Sequence, residues 1–158
     1  LFRLSSKGQI ELIDIPYFKE FDLNRMFEII KVLNEKYQKI RVILNCSGTG
    51  IILKKLLEKC EIHFENMNLG SPCFSQNDRN KYKNRSAKAF KKFQDCILDS
   101  KFSIKSEKKH KRIIKELINI PHYINSSGKY AIPTLEERIK LEMQDLNLAL
   151  TIAACFIE

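Results

Sequence analysis

Apolar positions along the chain fall into blocks of two different periods. Leu1 to Leu4 and Gln9 to Ile15 are β-branched and apolar stretches on either side of the turn SSKG, and they predict a β-hairpin that Pro16 ends. From Asp22, a candidate N-cap, the residues Leu23, Met26, Phe27, Ile30, Leu33 and Tyr37 recur at the three- and four-residue spacing of a helix with one buried face. Ile40 to Leu44 is too short and too uniformly apolar for an amphipathic helix, and its place between two helices predicts a central parallel strand. A helix from about Thr49 to Lys59 follows. In Glu61 to Met67, Ile62 and Phe64 alternate with polar residues at the period of a strand. Strand, helix, strand, helix, strand is the succession of an α/β sheet.

The second half is more broken. Asn68 to Asp78 carries glycine, proline and small polar residues and reads as a loop. Tyr82 to Leu98 predicts a helix with Ala87, Phe90, Phe93 and Ile97 on one side; Lys101 to Ile104 predicts a short strand, and Glu107 to Ile118 a basic helix. His122 to Ile132 has two short β-like arms about a serine-glycine turn and reads as a hairpin. After Pro133 the pattern is helical again, closing with an apolar helix from about Met143 to Ile157. No apolar run approaches the roughly 20 residues that span a bilayer, and LFRLSSKG lacks the apolar segment of a signal peptide, so a soluble protein with no membrane partner is expected. A first residue that is not methionine, set directly in a strand, suggests a fragment of something longer.

Composition bounds the architecture and the partner. With 158 residues, 44% of them hydrophobic, the chain suffices for one good core and is short for two domains, so residues 1–158 are expected to form a single domain. A net charge of +9 points to a polyanionic partner, of which nucleic acid is the commonest. The stretch RNKYKNRSAKAFKK concentrates that charge. Arg79, Lys81, Lys83, Arg85, Lys88, Lys91 and Lys92, with Tyr82 and Phe90 interleaved, would form a broad positive face on a helix and could contact phosphates; a solvated helix face is the competing explanation. KKHKR, Lys108 to Arg112, carries the same ambiguity. Five cysteines without a CxxC pair fit a reduced, cytosolic setting rather than a disulfide framework. Cys60 and His63 have CxxH spacing, but no second pair of ligands stands at zinc-site distance, and a helix end followed by a strand explains them.

Two stretches bear on chemistry. RVILNCSGTG, Arg41 to Gly50, runs a strand into a glycine turn, yet it lacks the GxxxxGK of a phosphate loop, and Leu53 stands where a dinucleotide fingerprint needs its third glycine. Tight strand-to-helix turning accounts for Gly48 and Gly50. Near the end, Glu142 and Asp145 open a helix that is otherwise nearly all apolar, where an acid serves either the helix dipole or a metal ion.

Taken in order, VILNCSGTGI with its helix, KNRSAKAFKKFQDCILDSKFSI, IPHYINSSGKYAI and MQDLNLALTIA resemble, over nearly the whole chain, the C-terminal nuclease domain of the large terminase subunit of tailed bacteriophages. The resemblance implies an RNase H-like α/β fold, a mixed central β-sheet flanked by helices. It also implies a metal-dependent endonuclease that cuts double-stranded DNA during packaging in the bacterial host cytoplasm, with portal and small terminase as further partners. In that family three acids hold Mg or Mn, because two cations bound close together need clustered carboxylates to activate water and stabilise the leaving oxygen. Carried over residue by residue, the last-helix acid falls on Asp145, the metal ligand, with Gln144 beside it. The central-strand acid falls on Asn45, which offers a metal a neutral oxygen and no charge. LFRLSSKGQIELIDI resembles the second and third strands, so the first-strand acid and the ATPase motor are expected upstream of Leu1; Glu11 and Asp14 sit on the later strand. Arg85, within the Asn-x-Arg-Ala match, is a candidate structural residue as well as a phosphate contact. The expectation is a DNA-binding terminase nuclease-like domain, inactive as this chain. The alternatives are a non-enzymatic DNA- or protein-binding module derived from the fold and a small nucleotide-binding enzyme using the SGTG turn.

Overall fold

A computed structural model describes residues 2–4, 10–12, 22–37, 40–46, 50–104, 111, 120–140 and 152–156. In chain order the elements are β1 (Phe2–Leu4), β2 (Ile10–Leu12), α1 (Leu23–Lys36), β3 (Ile43–Leu44), α2 (Gly50–Lys59), β4 (Glu65–Asn66), α3 (Gln76–Lys81), α4 (Arg85–Leu98), β5 (Phe102–Ile104), β6 (Tyr123–Ile124), β7 (Tyr130–Ala131) and α5 (Leu135–Lys140). They divide into two compact units, one of residues 17–69 and one of residues 1–16 with 70–158.

The unit of residues 17–69 is a helix followed by a parallel strand-helix-strand crossover. Asp22 caps α1 as its sequence position requires, its Oδ1 accepting from the Arg25 backbone N–H at 3.0 Å. The periodic face of α1 then packs Leu23, Met26, Phe27 and Ile30 against a buried cluster of Leu44, Leu53, Leu57 and Ile62. Tyr37, read as the last member of that face, instead has extended backbone at the C-cap and is exposed. β3 and β4 pair in parallel, with Ile43 opposite Glu65 and Leu44 opposite Asn66.

The strand expected over Glu61 to Met67 is shorter than its alternation predicts, because the cap of α2 reaches into it. Glu61 adopts the left-handed conformation, φ 54°. Its N–H donates to the Glu58 carbonyl at 3.1 Å and that of Ile62 to the Leu57 carbonyl at 3.0 Å, the two bonds of a Schellman cap. Ile62 and Leu57 supply the apolar contact that accompanies such a cap.

The other unit holds a mixed three-stranded sheet. β1 and β2 form the predicted hairpin, Phe2 opposite Leu12, and β5 lies parallel to β2 with Ile10 opposite Phe102. Phe93 of α4 packs its ring 4.9 Å from those of both Phe102 and Phe156. A second cluster joins Ala87 and Phe90 to Ile120 and Ile132, with Tyr82 and Tyr130 against it. β6 and β7 form the expected hairpin: Asn125 Oδ1 accepts from the N–H groups of Ser127 and Lys129, and Gly128 takes φ 72°. α5 begins with a capping box, Glu137 N–H donating to Thr134 Oγ1 at 3.2 Å and Thr134 N–H to Glu137 Oε2 at 2.6 Å. The expected helix over Glu107 to Ile118 and the start of the one from Met143 lie outside the described residues, apart from Lys111. Among the described residues β3 pairs with β4 alone, so the strand read as central belongs to a two-stranded sheet.

Candidate functional site

Asn45 follows β3 directly and its side chain is exposed, the position from which α/β proteins present a ligand-binding group. Behind it the chain turns back so tightly that a Cβ on Gly50 would overlap the Asn45 carbonyl oxygen. Glycine at 50 is therefore a steric requirement of the strand-to-helix turn, and no phosphate cradle is needed to explain it. From the start of that strand segment, Arg41 grips Glu65 of β4 with two parallel bonds, Nε to Oε1 at 2.7 Å and Nη2 to Oε2 at 2.8 Å. The Arg41 hydrogen bond holds the Glu65 carboxyl below its ordinary range, against the opposing effect of burial.

Asp145 lies outside the described residues. Among the described residues, no group of three or more His, Cys, Asp or Glu side chains could hold a metal ion. Asn45 with the residues described around it does not fit a divalent cation, and no metal-dependent step is assigned to them. Cys60 and His63 are both exposed, one just after α2 and the other just before β4.

The basic stretch Arg79 to Lys92 is not one helix. Ser75 caps α3, its Oγ accepting from the Asp78 N–H at 3.1 Å, and Asn84 caps α4, its Oδ1 accepting from the Ala87 N–H at 3.0 Å. Between them Tyr82 pairs in parallel with Tyr130, and the Lys83 N–H donates to the Tyr130 carbonyl at 2.9 Å. The broad positive face expected of a continuous helix is thus divided between two helices joined by an extended link. The signal for the earlier helix was present as Ser75-x-x-Asp78, a capping spacing inside the segment read as a loop, and the break itself is marked by Asn84, the cap of α4.

Several of its cations hold the protein's own chain. Arg79 Nε donates to the Cys73 carbonyl at 2.7 Å. Arg85 Nε donates to the Pro72 carbonyl at 3.0 Å, its backbone N–H to the Ser71 carbonyl at 3.0 Å, and its guanidinium lies 3.7 Å from the centre of the Phe74 ring. Lys88 is only 6% exposed, and its ammonium donates to Asp78 Oδ2 at 2.9 Å. That ion pair removes Lys88 from the surface cations that a phosphate could reach. Lys91 bonds Asp95 one turn along α4. Lys81 and Lys83 are exposed, and Lys92 is half-buried. Asp78, unremarked in the sequence, is the hub: hydrogen bonds from Ser75 and then from Lys88 hold its carboxyl below the ordinary range.

Tyr130 closes the same region. Its hydroxyl donates to Gln94 Oε1 at 3.0 Å, its ring stacks on His122 with centroids 5.6 Å apart, and burial pushes its pKa up to about 12.

Parallel and antiparallel strand pairings, crossover helices and a late hairpin in this order are the mixed α/β fold of the nuclease domains of phage large terminase subunits. The chain superimposes on the nuclease domain of the large terminase subunit gp2 of bacterial virus Sf6 with a TM-score of 0.67 and 18% identity, over 82% of this chain and 70% of that one. A mutant of that domain with manganese and beta-thujaplicinol gives a TM-score of 0.67 and 18% identity over 87% of this chain and 74% of that one. The large terminase nuclease from thermophilic phage G20c, with bound magnesium, gives 0.51 and 17% identity, over 87% of this chain and 64% of that one. No protein-family model matches the chain, and no curated protein does. Among the described residues no helix is long and apolar enough to cross a membrane.

Proposed function

We propose that this chain is a DNA-packaging terminase nuclease-like domain that binds double-stranded DNA and does not itself cleave it. The likeness of fold to terminase nuclease domains over 87% of the chain carries this reading. Its finer parts are a single domain over residues 1–158 and the RNase H-like central sheet that the resemblance implies. Asn45 occupies the central-strand acid position and Asp145 that of the last-helix acid, the inherited metal ligand. A Mg or Mn site at this location would need carboxylates, since a hard divalent cation bound by neutral oxygens has lost most of its attraction. With Asn45 in place of a carboxylate, the site is poor in the negative charge that two-metal hydrolysis needs.

Phosphate contacts fall first to the exposed Lys81 and Lys83, with the half-buried Lys92 beside Asp78 and with Arg79, Arg85 and Lys91 contributing donors that their internal bonds leave over. The packaging role gives the chain portal or small terminase as neighbours in the bacterial host cytoplasm. A second reading, a non-enzymatic protein-docking module, is favoured by the number of cations committed to internal bonds. Titration of a dye-labelled duplex at moderate salt separates the two. The DNA-binding reading expects binding that weakens steeply as salt rises, because phosphate contacts release counterions; absence of binding at moderate salt leaves the docking module.

A further inference from the structure

The segment Ser71 to Ser75 is held in an unusual way for a surface loop. Its Ser71 and Pro72 carbonyls accept from Arg85, its Cys73 carbonyl accepts from Arg79, and the Cys73 side chain between them is buried. Ser75 is fixed by its bond to Asp78, which Lys88 holds in turn. Phe74 is the residue this clamp leaves out. It is 56% exposed although large apolar side chains are favoured inside, and one face of its ring carries the Arg85 guanidinium at 3.7 Å. A loop held at its backbone thus exposes an aromatic ring backed by the Arg85 guanidinium, next in sequence to the Cys73 carbonyl that Arg79 holds.

We propose that Phe74, backed by Arg85, is a stacking platform for an unpaired nucleobase, with Arg85 and Arg79, which is held on the neighbouring Cys73 carbonyl, taking the adjoining phosphates. This rests on the DNA-binding reading and adds to it the kind of strand the surface takes. An aromatic ring stacks on any base, but only on one whose face is not covered by its neighbours in a duplex, so the platform selects single-stranded or locally opened DNA. The charge around it favours a polyanion over an apolar partner. Backbone bonds on either side fix where the ring is attached and the Arg85 contact holds one of its faces, so less ordering is left to oppose binding.

The chain contains no tryptophan, so Phe74→Trp makes a reporter read at one position. Phe74→Trp protein spanning residues 1–158 is titrated with a dye-labelled short oligothymidylate and with a duplex of the same length, following dye anisotropy for binding and tryptophan emission for stacking. The proposal expects saturable quenching by the single strand with the same midpoint as the anisotropy, and no quenching by the duplex. Phe74→Leu, which keeps an apolar side chain but no ring face, is expected to lower single-strand affinity about tenfold without altering the melting temperature. Oligonucleotide binding with unchanged tryptophan emission overturns the platform and leaves the DNA-binding reading standing. No anisotropy change with either DNA at moderate salt overturns both.

Discussion

At the scale of single residues, the Lys88–Asp78 pair decides what the basic stretch is for. A buried ammonium that loses its carboxylate loses attraction that offsets its desolvation, whereas replacing the whole ion pair by apolar groups is often nearly neutral. Asp78→Ala is therefore expected to destabilise by about 3 kcal/mol in urea unfolding, and the double variant Asp78→Ala, Lys88→Met by distinctly less. The Asp78 carboxyl is held below its unfolded value, so its contribution is fully present above the ordinary carboxylate range and lost as pH falls through its lowered folded value. Unfolding curves collected down through that acid window should fall less steeply for Asp78→Asn than for the parent. Glu61 shows the opposite kind of residue, one in a conformation its side chain disfavours. Glu61→Gly should raise stability by about 1 kcal/mol, and a decrease instead would mean that the Glu61 side chain contributes more than its backbone costs.

At the scale of elements, the strand-to-helix turn after β3 is the most demanding joint. Any side chain at Gly50 meets backbone, which cannot swing aside as a flexible tip would, so Gly50→Ala is expected to cost about 1–3 kcal/mol in thermal or urea unfolding. Wild-type stability in that variant would mean that the turn opens freely. The elements most legible in the sequence were those with a local cause. Asp22 caps α1, the period of Leu23 to Ile30 gives the partly buried face that packs on the core, and the β6–β7 turn carries Asn125 and Gly128, which suit it. Misread boundaries have equally physical reasons. A Schellman cap without glycine ends α2 at a glutamate, and alternation alone cannot reveal that Glu61 turns left-handed. The extended link ending at Asn84, the cap of α4, cuts the basic stretch in two, whereas composition treats it as one face. Lys88 looked like any other lysine because the acid that pairs with it lies ten residues earlier in another helix. Asn45 was legible as a strand-end residue, but the carboxylates that would define a site around it are not adjacent in sequence.

For the whole molecule, charge and fold make separate predictions. If duplex DNA binds through the surface cations, the slope of log affinity against log salt should lessen by roughly two when Lys81 and Lys83 are both replaced by alanine, about 0.9 for each phosphate no longer neutralised. Lys88→Met should leave the slope unaltered, since that ammonium faces Asp78. Equal effects of the two changes would mean that net charge, and not placement, governs binding. Whether a terminase nuclease fold carrying Asn45 at the strand end has lost cleavage is decided by incubating supercoiled plasmid with manganese. The parent, Asp145→Asn and Asn45→Asp are compared against metal alone, the last to ask whether one restored carboxylate is sufficient. No nicking is expected from the parent or from Asp145→Asn; manganese-dependent cutting by the parent that disappears in Asp145→Asn would mean that a working metal site persists despite Asn45.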